Sequence, residues 1–93
     1  MLEADPIAVD VNVVGDKLIV DLGDGRSLSV PLEWYPRLEH ATPQERAHWQ
    51  LIGDGYAIEW PDLNEHIGIE GLLAGRRSGE SSASFNRWLQ SRA

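Results

Sequence analysis

The chain has 93 residues, 42% of them hydrophobic and 25% charged, with no cysteine and a formal net charge of −7. That length has room for one domain with one modest core, and the composition is that of a folded globular chain rather than a disordered one. Missing cysteines exclude disulfides, thiolate zinc sites and cysteine nucleophiles. The absence of a long apolar run, and of a basic-then-apolar layout in MLEADPIAVD, predicts a soluble cytoplasmic protein with no membrane attachment.

Residues Ile7 to Val14 alternate, with Ile7, Val9, Val11 and Val13 on one side, which predicts a strand with one buried face. Gly15 and Asp16 suit a two-residue hairpin turn. Lys17 to Leu22 follows in phase through Leu18, Val20 and Leu22, and a second turn at Gly23, Asp24 and Gly25 leads to Arg26 to Val30. A three-stranded meander is therefore predicted, closed by Pro31, and PLEWYPRLEHA reads as one helical turn broken at Pro36. Thr42, Pro43 and Glu45 form a helix start with a capping box, predicting a helix over about Pro43 to Gln50. Gly53 to Gly55 marks a turn, Tyr56 to Trp60 a short strand stopped by Pro61, and Asp62 to Glu65 a polar turn. Ile67 and Ile69 suit a brief strand, and Glu70 to Ala74 a short helix ending at Gly75.

From Arg76 the composition shifts to RRSGESSAS, a linker by its serine and glycine content. Phe85, Trp88 and Leu89 beyond it share one stripe of a candidate helix capped by Ser82 or Ser84, too short to persist undocked. The domain organisation read from this is one α+β domain over residues 1–75 and a basic tail over 76–93.

Charge divides along the same line. Residues 1–75 hold 14 acids against Lys17, Arg26, Arg37 and Arg46, a net of −10, whereas residues 76–93 hold four arginines against Glu80, a net of +3. An acidic body argues against direct nucleic-acid binding, which draws its free energy from cations neutralising phosphate, and favours a basic protein partner.

No constellation carries chemistry. His40, His48 and His66 lack zinc spacing, Asp62, Glu65 and Glu70 fit no calcium loop and read as solvated turn carboxylates, and no serine sits in a nucleophile elbow. The two GDG triplets read as turns rather than phosphate loops. The expectation is a protein that is not an enzyme and holds no cofactor or metal. The candidate binding residues are Trp34, Tyr35, Arg37, Trp60, Asp62, Phe85 and Trp88, of residue types enriched in interfaces, with core packing between helix and sheet the alternative role of the rings. An exposed ring beside Arg37 would let that guanidinium take a carboxylate.

The stretch WYPRLEHATPQERAHWQLIGDGYAIEWPDLNEHIGIEGLLAG, residues 34–75, together with the turn Leu22 to Arg26, the strands before it and the tail, resembles a family of small bacterial proteins catalogued as a domain of unknown function. The block Trp34 to Leu38 and the later Trp60, Pro61 and Leu63 carry the resemblance. Many relatives have an acid where this chain has Asn64 or His66. The resemblance supplies no site residues. It implies gene neighbourhoods in which such proteins pair with another short protein as proposed toxin and antitoxin, and fusions of some relatives to a helix-turn-helix DNA-binding domain, which this sequence does not contain. On that reading the acidic body covers a basic toxin surface.

The expected fold is thus α+β: a small, mostly antiparallel sheet led by the meander and packed against the helix from Pro43, with short helices. The expected function is a protein-interaction module, antitoxin-like. The alternatives are a DNA-linked regulator touching phosphate through Arg76, Arg77, Arg87 and Arg92, and a ligand-sensing domain with a pocket between Trp34 and Trp60. Free sheet edges also allow a homodimer.

Overall fold

A computed structural model describes residues 6–92; residues 1–5, where the expected domain over 1–75 begins, and residue 93, the end of the expected tail, lie outside the described residues. The fold is α+β, and its antiparallel strands divide into two three-stranded sheets. The first is the meander, β1 (Ala8–Val14), β2 (Lys17–Leu22) and β3 (Ser27–Pro31), in the order β1-β2-β3. Leu18, Val20, Leu22 and Val30 turn inward, as the period of two requires. Gly15 supplies the positive φ of +59° that the hairpin turn needs.

One strand departs from the expected phase. Ala8 pairs with Leu22 but Asp10 pairs with Asp21, so β1 carries one extra residue, Val9, against β2. This bulge resets the alternation: Ala8 and Val11 are buried while Val9 is 51% exposed, not buried beside Val11 as the sequence pattern suggests.

A 3-10 turn over Leu32–Trp34 leads into α1 (Pro36–Glu39), so Pro36 opens a helix at its first position rather than breaking one. In α2 (Pro43–Ala47) the capping box forms in full: the Glu45 amide donates to Thr42 Oγ1 at 3.1 Å, and the Thr42 amide donates to Glu45 Oε1 at 2.8 Å. The helix is shorter than predicted, because His48 leaves helical dihedrals and Gln50 begins β4 (Gln50–Ile52), a strand absent from the sequence reading. β4 pairs with β5 (Ala57–Trp60), which pairs with β6 (Glu65–Gly68), and α3 (Ile69–Leu73) follows at once. The longest helix is α4 (Ser82–Ser91) in the tail, capped by Ser81 rather than Ser82 or Ser84.

A single buried cluster draws on both sheets, with Trp60, Ile58, Leu18, Leu38, Leu63, Ile69 and Val20 at its centre. Among the described residues no helix is long and apolar enough to cross a membrane.

Candidate functional site

The candidate residues separate into core and surface. Trp60 is completely buried and its indole N–H donates to the Arg46 carbonyl at 3.1 Å, tying the end of α2 to β5. Tyr35 is 4% exposed and its hydroxyl donates to the Arg76 carbonyl at 3.0 Å. Both rings therefore pack rather than project, and neither Trp34 nor Trp60 lines any of the three clefts described below, which corrects the idea of a pocket between them. Asp62 is exposed at the turn before β6, 2.7 Å from His48 Nδ1.

Arg37, Phe85 and Trp88 converge where the tail meets the body. The segment expected to be a free linker is strapped down: the Arg76 amide donates to the Gly71 carbonyl at 2.9 Å, the Ser78 amide donates to the Trp34 carbonyl at 3.0 Å, and the Arg77 guanidinium lies 4.9 Å from the Trp34 ring centroid. Arg37 Nε then reaches both oxygens of Glu80 at 2.9 and 3.0 Å, Nη2 adds a closer contact to Glu80 Oε2, and Nη1 donates to the Leu63 carbonyl at 2.8 Å. The two charged side chains are only 14% and 11% exposed, so the pair is shielded from the screening that weakens surface ion pairs. Arg37 takes a carboxylate, as its position suggested, but one supplied by its own chain.

Beyond Glu80, α4 lies against α1 and α2. Trp88 sits between two guanidinium groups, Arg37 at 5.4 Å and Arg92 at 4.5 Å, and stacks on Phe85, which meets His40 edge-on at 5.1 Å. Arg92 grips Glu45 with two hydrogen bonds of 2.8 and 2.6 Å. Arg77 and Arg92 are thereby committed to the body, which leaves the tail a poorer phosphate-binding element than its sequence suggests.

These contacts are pH-sensitive with a defined sign. The hydrogen bond from Arg92, aided by the Thr42 amide, lowers the Glu45 carboxyl from 4.5 to about 2, and the bond from Arg37 lowers that of Glu80. A depressed folded-state pKa stabilises the docked state above the unfolded value and loses that contribution as pH falls through the folded value. Glu65 has the opposite sign, because burial raises its pKa and its ionised form opposes folding. Acidification from pH 5 toward pH 2 is therefore expected to release α4 before the sheets unfold, read as loss of the Trp88 indole NMR signal from its folded position. Retention of that signal down to the global acid transition would contradict the assignment.

Glu65 is the site residue the sequence reading passed over. Instead of a solvated turn carboxylate it opens β6, half-buried, with Oε2 shielded and without a hydrogen-bond partner among the described residues. It borders two adjoining clefts of about 180 and 300 Å³ beside Arg76 and the Arg37–Glu80 pair. Only its spacing from Trp60, its cross-strand partner, hinted at a place in a sheet.

A further cleft, about 560 Å³, lies elsewhere, along the outer edge of β1. Asp10, Val11, Asn12, Val13 and Gly15 form one wall and Pro43, Arg46, Ala47 and Trp49 the other. Arg46 is held in place, its guanidinium donating to the Leu38 and Glu39 carbonyls at 2.8 and 2.6 Å, and it keeps its positive charge on the wall opposite Asp10. Asp10 faces Asp21 directly across the strand pair, so the outer face of β1 and β2 is anionic beside the cleft.

The chain is similar to a crystal structure of a protein of unknown function from Rhodospirillum rubrum, at 26% identity and a TM-score of 0.71, over 86% of this chain and 96% of that one. It shares its fold with the solution NMR structure of an uncharacterized protein from Chromobacterium violaceum, at 20% identity and a TM-score of 0.67, over 92% of this chain and 75% of that one. Among curated proteins none matches. The family model described as "Protein of unknown function (DUF2442)" matches residues 8–78, spanning both sheets and the Trp34 to Leu38 block but ending before α4. The chain belongs to this family.

Proposed function

We propose that the protein is a protein-interaction module of the cytoplasm, with no catalytic role, that binds a basic polypeptide partner. The observation that carries this reading is the open groove along β1, which among the described residues pairs with β2 alone, on an acidic body. Residues 1–75 have a net charge of −10, and Asp10 lines the groove with Asp21 opposite it on β2. The basic tail does not neutralise this face, since Arg77 and Arg92 are bound at Trp34 and Glu45. Charge of one sign at an interface steers a partner of the other sign and excludes like-charged competitors. The antitoxin-like role implied by the sequence resemblance is the case in which that partner is a basic toxin.

The test is purification of the tagged chain from its native host, with mass spectrometry of what accompanies it at low and at raised salt. A basic polypeptide near one-to-one stoichiometry, shed as salt rises, supports the reading. An acidic or nucleic-acid partner, or a chain that emerges alone at low salt across growth conditions, sinks it.

A further inference from the structure

We infer that the partner binds by adding an extended strand to the outer edge of β1, with basic side chains over Asp10 and small or apolar side chains turned toward Trp49 and Ala47. This rests on the proposed interaction function and assigns it a surface and a recognition pattern.

The direction of the β1 peptide groups follows from register. A two-residue turn at Gly15 and Asp16 makes Val14 and Lys17 a hydrogen-bonded pair, and such pairs alternate along antiparallel strands. Asn12 with Ile19 and Asp10 with Asp21 are then bonded pairs, whereas Val11 and Val13 direct their N–H and C=O groups away from β2. The far side of β2 agrees, because the Leu22 amide donates across to Arg26 at 2.8 Å, which sets Leu22, Val20 and Leu18 toward β3. Among the described residues no backbone hydrogen bond from outside the sheet reaches Val11 or Val13. The groove opens at this edge.

An added strand pairs there by main-chain hydrogen bonds and is read by its alternate side chains. Residues opposite Val11 and Val13 share their inward face and meet Trp49, which is half-buried, and Ala47, which is exposed. Residues opposite Asp10 and Asn12 share the outer face, where Asp10 and Asp21 stand as opposed carboxylates that a Lys or Arg would relieve. A second copy of this chain is the poorer occupant, since it would bring another acidic body to the same rim.

The experiment is heteronuclear NMR of the isotope-labelled full chain with acetyl-Lys-Val-Lys-Val-Lys-Val-amide at millimolar concentration and low salt, and with its Glu-Val counterpart as control. The expected result is amide exchange slowed about tenfold or more at Val11 and Val13 but not at the already bonded Asn12. Asp10→Lys is expected to weaken the probe by roughly tenfold, the scale of one lost charge contact. Ala47→Trp, at an exposed position that tolerates a ring, fills the groove and abolishes the protection while the α4 signals stay in place. Binding that leaves Val11 and Val13 exchange unchanged overturns strand addition and leaves the basic-partner reading standing. Equal binding of the Glu-Val probe overturns both. Binding of neither probe overturns strand addition, as does a concentration-dependent dimer that protects the same amides without any probe.

Discussion

Gly55→Ala is expected to lower the unfolding free energy by about 3 kcal/mol, the sum of a strained backbone and a clash that the neighbours cannot relieve. Gly55 is buried at φ +100°, and an added Cβ would stand 2.5 Å from the Ala8 carbonyl oxygen and 3.1 Å from Ile7 Cβ. The clash is with main chain, and Ala8 is held by its pairing with Leu22. This is the point where the loop joining β4 to β5 touches the first strand of the first sheet, so the strain falls on the joint between the sheets. For a domain of this size the melting temperature is expected to drop by roughly 12 to 24 °C. Gly25→Ala separates the two causes: its φ of +95° is comparable but nothing lies within 4 Å of the new Cβ. It should show the strain alone, and equal losses in the two variants would contradict the account of the joint.

Trp60→Ala is expected to be the most destabilising single replacement, at about 3 to 5 kcal/mol, because a fully buried ring leaves a cavity that a small domain cannot close. Total stability for such a chain is roughly 5 to 15 kcal/mol, so the variant approaches unfolding at room temperature. Trp60→Phe keeps most of the packing but strips the donor from the Arg46 carbonyl at the end of α2, which adds about 1 kcal/mol to the lost packing. Trp34→Ala, at a half-buried ring, should be milder. Urea denaturation of the four chains gives the order, and a Trp34 loss as large as that of Trp60 would show that the core has been misplaced.

The meander was legible because its signals are local: alternation over six or seven residues, glycine at the turns, and a proline that ends β3 at a position whose amide is not needed. The capping box of α2 was legible for the same reason. What the pattern concealed was set by pairing across the chain. Val9 belongs by alternation with Val11, and only the bulge against Asp21 turns it outward. β4 is three residues long, with Gln50 and Leu51 exposed, and its identity as a strand comes from β5 rather than from its own composition.

The site shows the same division. Trp34, Tyr35 and Arg37 were conspicuous by residue type, yet type alone could not say that Tyr35 is core and that the Arg37 guanidinium is used within the chain. One signal was present: Glu80 is the sole acid of the tail, and it is the residue that finds Arg37. The charge division between body and tail was visible too, but not which surface the tail helix docks on; it lies on α1 and α2 of its own body. The groove beside β1 left no mark in the sequence, since its walls come from residues some 30 positions apart.

The central claim is that the acidic β1 edge, and not the basic tail, is where a partner attaches. Purification from the native host in parallel of the unaltered chain, Ala47→Trp and Arg37→Ala tests it most directly, because the first variant fills the groove and the second loosens α4. The account predicts a basic partner retained by the unaltered chain and by Arg37→Ala and lost from Ala47→Trp. A partner retained by Ala47→Trp and lost from Arg37→Ala would contradict it and move the interaction to the tail helix.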